Sequence, residues 1–240
     1  MIKYNDSNIN DWNFGSDNIA KAYYNGDICY QKITNGSTPP SPSGLPSGYT
    51  EVEYIERDAS HNGYVGLGEY FTQDCVIELQ FQMTQAKGFA IIGDDFTSDN
   101  NDWRIFLNYD TQSNNLLSYD FIRDRKQYNT GNWAKLFHLE VGNYYVIDLD
   151  TSTTIISSTP KTNFTRPCQM FLFHLNNVTS SQQNQDYGKI YFIKIWKNNT
   201  LVKDLVPCFR NSDNVVGLYD IVGNEFHGSL ESTLLAGPTV

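Results

Sequence analysis

The chain has 240 residues, a formal net charge of -10, 40% hydrophobic residues and 14% aromatic residues. This acidic balance lacks the positive footprint that binding to a phosphate backbone requires, so we expect no nucleic-acid partner. No stretch approaches about 18 consecutive apolar residues, and the opening sequence MIKYNDSNIN is not basic-then-apolar, so we expect no membrane insertion and no secretion signal.

Residues 1–36 are predicted to form a small β-hairpin module. Asn25-Gly26 lies between two short aliphatic and aromatic runs, and Asn-Gly is the strongest short signal for a two-residue type I′ turn. A ribbon of this size is marginal by itself in water, so its apolar side chains must be covered by the rest of the chain or by another protein. The candidate docking residues are Ile19, Tyr23, Tyr24, Ile28 and Tyr30.

Residues 37–48 are predicted to be a Pro/Ser-rich linker. This stretch holds Pro39, Pro40, Pro42 and Pro46 of the 8 prolines in the chain. Proline-rich segments form extended, semi-rigid spacers and cannot join a central strand. We therefore expect a separate domain to begin near residue 49.

Residues 49–240 alternate short β-type runs with turn residues. The run CVIELQFQM, 75–83, places its apolar residues on one face and Glu78, Gln80 and Gln82 on the other, the period of a half-buried strand. Tight hairpins are predicted at Gly142-Asn143 and Asn198-Asn199. The other predicted strands are 103–109, 116–122, 136–141, 144–149, 169–175, 189–197 and 199–206. Many short strands without a helical period predict an all-β fold, two antiparallel sheets packed as a jelly-roll sandwich.

The last quarter of the chain gives the most detailed expectations. The run 189–196 is apolar on both faces, which is typical of a central strand. Pro207 is expected to end the next strand because it cannot donate to a ladder. The run 217–220 followed by Gly223-Asn224 predicts a strand, a hairpin turn and a returning strand.

Two stretches carry a resemblance to a known family. LPSGYTEVEYIE (45–56) and GKIYFIKIWKNNTLVKDLVPCFRNSDNVVGLYDIVGNEFHGS (188–229) resemble the opening and closing segments of concanavalin A-like, laminin-G-like jelly-roll domains of bacteriophage virion proteins. The narrower resemblance is to head-fibre proteins of crAss-like phages of Bacteroides. It implies a non-enzymatic head-fibre, capsid-decoration or tail-associated protein on the virion surface, made in the host cytoplasm.

The same resemblance implies the partners. Residues 1–36 resemble the small modules that anchor such proteins to other virion proteins, and the displayed protein is expected to form a homo-oligomer such as a trimer. The outer domain is then lectin-like and binds a host surface polysaccharide, or serves as decoration. Weak binding by each copy would gain from multivalency.

Sugar binding would use an aromatic platform beside polar side chains. Two candidate pairs fit this description, Trp103 with Arg104 and Tyr128 with Trp133, each next to a polar loop. No cofactor is implied, but the loop GDDFTSDNNDW offers carboxylates of the kind that bind Ca²⁺ in lectin-like jelly rolls. The candidate ligands are Asp94, Asp95, Asp99 and Asp102; a solvated turn predicts the same composition.

A glycan hydrolase or depolymerase is the alternative function, and a bacterial surface lectin is another. Hydrolases of this fold place alternating carboxylates on one strand. Here Glu51 and Glu53 alternate and Glu56 follows, although the spacing departs from Glu-x-Asp-x-x-Glu and a charged edge strand explains the same residues.

The remaining reactive residue types show no motif. The cysteines form no C-x-x-C pair, so we expect buried free thiols and neither a disulfide framework nor a zinc site. The histidines are scattered, and we expect them to be hydrogen-bonded structural residues. These residues are Cys29, Cys75, Cys168, Cys208, His61, His138, His174 and His227.

Overall fold

The computed structural model of the chain has two compact units, Met1–Pro39 and Pro40–Val240. It describes residues 3–4, 7–8, 21–24, 27–31, 44–72, 74–85, 90–94, 103–107, 116–121, 124–129, 134–140, 145–148, 153–157, 165–174 and 187–240. Within these ranges the regular structure is entirely β, without a helix, and the paired strands are antiparallel. The predicted all-β class is therefore confirmed.

The described residues of the first unit form two short strand pairs. Strand β1 (Lys3–Tyr4) pairs with β2 (Ser7–Asn8), and β3 (Lys21–Tyr24) pairs with β4 (Asp27–Gln31). Four of the predicted docking residues, Tyr23, Tyr24, Ile28 and Tyr30, lie on β3 and β4, whereas Ile19 and the predicted turn at 25–26 lie outside the described residues. Docking through this unit stays a prediction.

The second unit contains the remaining strands. They are β5 (Tyr49–Glu51), β6 (Ile55–Arg57), β7 (Val65–Thr72), β8 (Cys75–Gln85), β9 (Ala90–Asp94), β10 (Trp103–Leu107), β11 (Leu116–Phe121), β12 (Asp124–Asn129), β13 (Ala134–Glu140), β14 (Tyr145–Asp148), β15 (Thr153–Ser157), β16 (Thr165–Leu172), β17 (Tyr187–Lys197), β18 (Thr200–Arg210), β19 (Val215–Asp220), β20 (Glu225–Gly228) and β21 (Leu235–Ala236).

Two sheets organise these strands. The smaller sheet has the order β12-β11-β10-β9-β16-β7. The larger sheet follows the path β15-β14-β13-β8-β17-β18-β19-β20, and β5, β6 and β21 attach to its side. Strand β17 is central, between β8 and β18, as its two apolar faces predicted.

The two sheets share one hydrophobic core, which is consistent with a β sandwich. Leu67 and Ile92 of the smaller sheet pack in the same buried cluster as Ile77, Leu79 and Ile193 of the larger one. On β8 the core residues alternate with Glu78, Gln80 and Gln82, so the predicted period is confirmed there. Because apolar side chains of both sheets leave water together, this interior provides the main stabilisation of the unit.

Two of the predicted turns are found where the sequence placed them. Asn198 and Asn199, with φ of 49° and 60°, connect β17 to β18 in the left-handed conformation of a type I′ hairpin. Residues 221–224 connect β19 to β20, which confirms the predicted strand, turn and return. The predicted turn at Gly142-Asn143 lies outside the described residues.

The prediction that Pro207 ends its strand is wrong, because β18 continues to Arg210. The pairing of β17 with β18 extends to Leu205, and β5 pairs with the same edge from Cys208 onward. Pro207 lies at this junction and accepts a hydrogen bond from the N–H of Val52 at 3.0 Å. A proline is tolerated at this position because neither β17 nor β5 pairs with β18 at residue 207, so neither strand needs its missing N–H.

The expectation of buried thiols is confirmed where the structure describes it. Cys75 and Cys208 are buried and free. Burial raises the pKa of the Cys208 thiol to about 12 and also raises that of Cys75, so both remain protonated. The side chains of Cys29 and Cys168 lie outside the described set.

Candidate functional site

A bulge in the central strand builds an unusual surface on the larger sheet. Ile190 is opposite Phe81 and Phe192 is opposite Gln80, so Tyr191 is an extra residue on β17. Because Ile190 and Ile193 are fully buried in the core, the bulge lets two successive aromatic residues lie on the other side of the sheet. Tyr191 and Phe192 are both half-buried there.

Two glutamines of β8 adjoin these rings. The hydroxyl of Tyr191 donates to Oε1 of Gln82 at 2.9 Å, and Gln80 is 9% exposed with an Oε1 that accepts no hydrogen bond. Burial raises the pKa of Tyr191, so its hydroxyl remains a neutral donor. We call Gln80, Gln82, Tyr191 and Phe192 the amide-aromatic face.

An ion pair borders the face on the side of β6. Nζ of Lys189 lies 3.9 Å from Oε2 of Glu56 and 4.1 Å from the ring centre of Tyr54. Gly237 packs so closely on the same ring that an added Cβ would lie 3.0 Å from it. Since Tyr54 is covered by Lys189 and Gly237, its ring serves as packing for the face.

A second ion pair borders the face further along β17. Nζ of Lys194 lies 3.3 Å from Oδ2 of Asp204, and Lys194 is also in register with Glu78 on β8. The backbone of His138 on β13 is in register with Glu78. The centre of the face is thus made of amide, phenol and phenyl groups, and its ion pairs lie at the borders.

The neutral groups of the face can contact both hydroxyls and apolar ligand surfaces. Amide and phenol groups donate to and accept from hydroxyls, and a half-buried aromatic ring packs against an apolar ligand surface. Burial raises the pKa of Glu56 while Lys189 lowers it, and Asp204 is held by Lys194. The net effect leaves the pKa of Glu56 above its ordinary value.

The three carboxylates of the hydrolase alternative, Glu51, Glu53 and Glu56, do not share one strand. Strand β5 ends at Glu51, and Glu53 lies at a bend where its N–H donates to the carbonyl of Pro238. Val52 bridges to Thr239, so the carboxyl-terminal segment interrupts the run. The prediction that Glu51 and Glu53 lie on one face of a strand is therefore wrong; burial raises the pKa of Glu51.

Three of the four predicted sugar-binding residues lie on strands of the smaller sheet: Trp103 and Arg104 on β10, and Tyr128 on β12. On β10, Trp103 is opposite Asp94 and Phe121, whereas Arg104 is opposite Gly93 and Asp120. Adjacent strand positions belong to opposite faces of a sheet, so the backbone does not place this pair on a common face. Tyr128 is opposite Leu117 on β12 and β11, and Trp133 lies outside the described residues. Their contact with a ligand stays a prediction.

The predicted calcium ligands are only partly described. Asp94 ends β9, and Asp95, Asp99 and Asp102 lie outside the described residues. Among the side chains that the structure describes, no group of three or more His, Cys, Asp or Glu could hold a metal ion. Calcium binding at the loop stays a prediction.

Sequence reasoning missed a buried charged cluster. Nζ of Lys203 lies 2.9 Å from Oδ2 of Asp220, whose Oδ1 accepts from the backbone N–H groups of Asp204 and Val222 at 3.2 and 3.1 Å. Buried His227 lies against Gly68 of the other sheet, where an added Cβ would be 3.2 Å from its ring. The available signal was that Lys203 has the same strand phase as the core residue Leu205.

The electrostatics of this cluster indicate a structural role. Burial raises the pKa of Asp220, but hydrogen bonds from Lys203 and the backbone outweigh it and hold the pKa below the ordinary value. Burial and the Lys203 charge lower the pKa of His227. Two other histidines have described side chains: His61 pairs with Asp58 at 2.9 Å, and His174 packs against the ring of Tyr64 with 4.4 Å between ring centres.

Comparisons with known proteins give no family for this chain. No protein-family model matches it, no curated protein matches it, and no solved structure matches it. In the part of the chain that the structure describes, no helix is long and apolar enough to cross a membrane.

Proposed function

We propose that this protein is a non-enzymatic bacteriophage virion component that displays a glycan-binding domain. Residues 1–36 dock to another virion protein, residues 37–48 act as a spacer, and residues 49–240 form a concanavalin A-like jelly roll that faces outward. The observation that carries the proposal is the amide-aromatic face, a half-buried surface of amide, phenol and phenyl groups at the centre of the larger sheet.

The organisation of the chain supports the display part. A small unit and a large unit separate at residues 39 and 40, inside the proline-rich stretch. The two stretches that resemble virion jelly rolls also pair with each other in space, β5 with β18 and β6 with β17. Segments that are distant in sequence thereby close one domain, as the opening and closing strands of such a domain must.

The anchor proposal depends on the apolar side chains of the first unit. Strands β3 and β4 hold only 4 and 5 residues, too few to bury their own aromatic and aliphatic groups. A partner protein or a threefold assembly of copies would cover them. The net charge of -10 would keep many displayed copies soluble and mutually repelling.

Binding is tested on an array of bacterial surface polysaccharides with the full chain. We expect a subset of the array to retain the protein, and the variants Phe192→Ala and Gln82→Ala to lose about tenfold in affinity because a stacking ring or a hydrogen-bonding amide is removed. Tyr70→Ala is the matched control, since Tyr70 is 45% exposed on the smaller sheet. Retention that survives both site variants contradicts the assignment.

The enzyme alternative is tested on the same ligands. A retained polysaccharide is incubated with the protein and its chain length is followed by size-exclusion chromatography. We expect no shortening. Shortening that disappears in Glu56→Gln would establish the hydrolase and refute the binding function.

Virion assembly is tested by mass spectrometry of purified particles. The full chain should be present in wild-type virions, and a variant with Tyr24→Asp and Ile28→Asp should be lost from them because charge blocks an apolar docking surface. Tyr70→Asp makes the same kind of change outside the first unit and should leave incorporation intact. Incorporation of the double variant would refute the anchor.

A further inference from the structure

We infer that the ligand of the amide-aromatic face is an uncharged glycan rather than an acidic polysaccharide. This inference rests on the proposed glycan-binding function and concerns the chemical class of the ligand. It is drawn from how the charges around the face are already paired.

The lysines bordering the face are matched by carboxylates. Lys189 lies 3.9 Å from Glu56, and Lys194 lies 3.3 Å from Asp204. To pair with one of these lysines, a carboxylate or sulfate of an acidic glycan would have to displace the carboxylate that the lysine already contacts, so the number of ion pairs would not increase. The acidic group would also lie close to the displaced carboxylate, which has the same sign of charge.

The centre of the face offers groups that favour hydroxyls. Gln82 and Tyr191 bond each other at 2.9 Å, which orients the amide and leaves its N–H₂ group as a neutral donor. Phe192 supplies the ring against which the apolar side of a neutral sugar can pack.

The overall charge points the same way. The chain carries a formal net charge of -10, so a polyanion is repelled at long range as well as at the face. An uncharged glycan meets no such barrier. Its binding should also change little with ionic strength, because no ion pair is formed or broken.

The first test is affinity electrophoresis of the full chain in native gels that contain one polysaccharide each. Mannan and dextran serve as neutral probes, alginate and hyaluronate as acidic probes, and fractionated capsular polysaccharides of both classes extend the series. We expect retardation by a neutral polysaccharide, reduced about tenfold in affinity by Phe192→Ala and unaffected by Tyr70→Ala. Retardation by acidic members only would overturn this inference and leave glycan binding standing, whereas no retardation by any member would overturn both.

A gain-of-function variant gives the second test. Glu56→Gln combined with Asp204→Asn frees two lysines at the borders of the face, so the variant should acquire affinity for alginate that disappears in high salt. The control, Asp74→Asn with Glu231→Gln, changes net charge equally but frees no lysine at the face. Equal alginate binding by both double variants would refute the role of the paired lysines. Should the first double variant fail to fold by circular dichroism, Glu56→Gln alone provides the same comparison against Asp74→Asn.

Discussion

Replacing Lys203 by methionine should destabilise the sandwich far more than replacing Lys194 by methionine. Both lysines belong to neighbouring strands of the larger sheet, and both have a carboxylate partner, at 2.9 and 3.3 Å respectively. Their burial differs. Lys203 and Asp220 are 9% and 0% exposed, whereas Lys194 and Asp204 are 39% and 21% exposed.

The expected loss in the free energy of unfolding depends on the groups that each substitution leaves in place. Lys203→Met leaves the carboxylate of Asp220 buried without its counter-ion, and removal of one partner of a buried pair costs about 3 to 5 kcal/mol. Backbone N–H groups still bond Oδ1 of Asp220, so the lower end of this range is the expectation. Lys194→Met removes a solvent-screened pair, for which about 0 to 1 kcal/mol is typical.

The assay is equilibrium urea unfolding of the full chain, followed by tryptophan fluorescence at neutral pH. The two variants should differ by at least about 2 kcal/mol in the free energy of unfolding, which is the gap between the two ranges. Equal losses would refute the reasoning that burial decides the strength of these pairs. A double variant, Lys203→Met with Asp220→Leu, should recover part of the loss because no uncompensated charge remains buried.

Three further predictions concern the same domain. His227 has a folded-state pKa below its unfolded value of about 6.5, so its contribution to stability is present above that pH and is lost as the pH falls through the folded-state pKa. His227→Gln should therefore reduce the fall in the free energy of unfolding that urea titrations measure between pH 7.5 and pH 5. An unchanged pH dependence would contradict this prediction. Asn199→Ala should lower the free energy of unfolding by about 1 kcal/mol and Asn199→Gly should not, because residue 199 has a φ of 60°. Thermal unfolding of the two variants measures this difference. Equal melting temperatures would contradict the prediction. Cys208, whose pKa burial raises to about 12, should resist iodoacetamide at pH 8 in the native state and react in urea, as peptide mass spectrometry would show; native labelling would contradict the described burial.

Alternating polarity allowed much of the β structure to be predicted. It identified β8, because the period of two is a local property of a strand that has one face in the core. The run of β17 was instead predicted as a central strand because it is apolar on both faces. The turn at Asn198-Asn199 was equally local, since asparagine tolerates the left-handed conformation that the hairpin needs.

Long-range pairing caused the errors. The run 51–56 alternates like one strand, but the carboxyl-terminal residues Pro238 and Thr239 pair with it and separate β5 from β6. Pro207 was expected to end β18, yet the edge beside it changes partner from β17 to β5 at that residue. Neither partner is visible from the neighbouring sequence.

The sequence by itself therefore determined the all-β class, the phase of the major strands and the tight turn at 198–199, because each depends on residues that are near one another in the chain. Only the tertiary structure decided that a bulge would place Tyr191 and Phe192 beside Gln80 and Gln82, and that Lys203 would be buried against Asp220. Both arrangements depend on strand register. Register brings Tyr191 beside Gln82, more than a hundred positions away in the chain, and it places Lys203 and Asp220 together from separate strands. A binding surface on a sheet is a property of several strands at once, and no single strand specifies it.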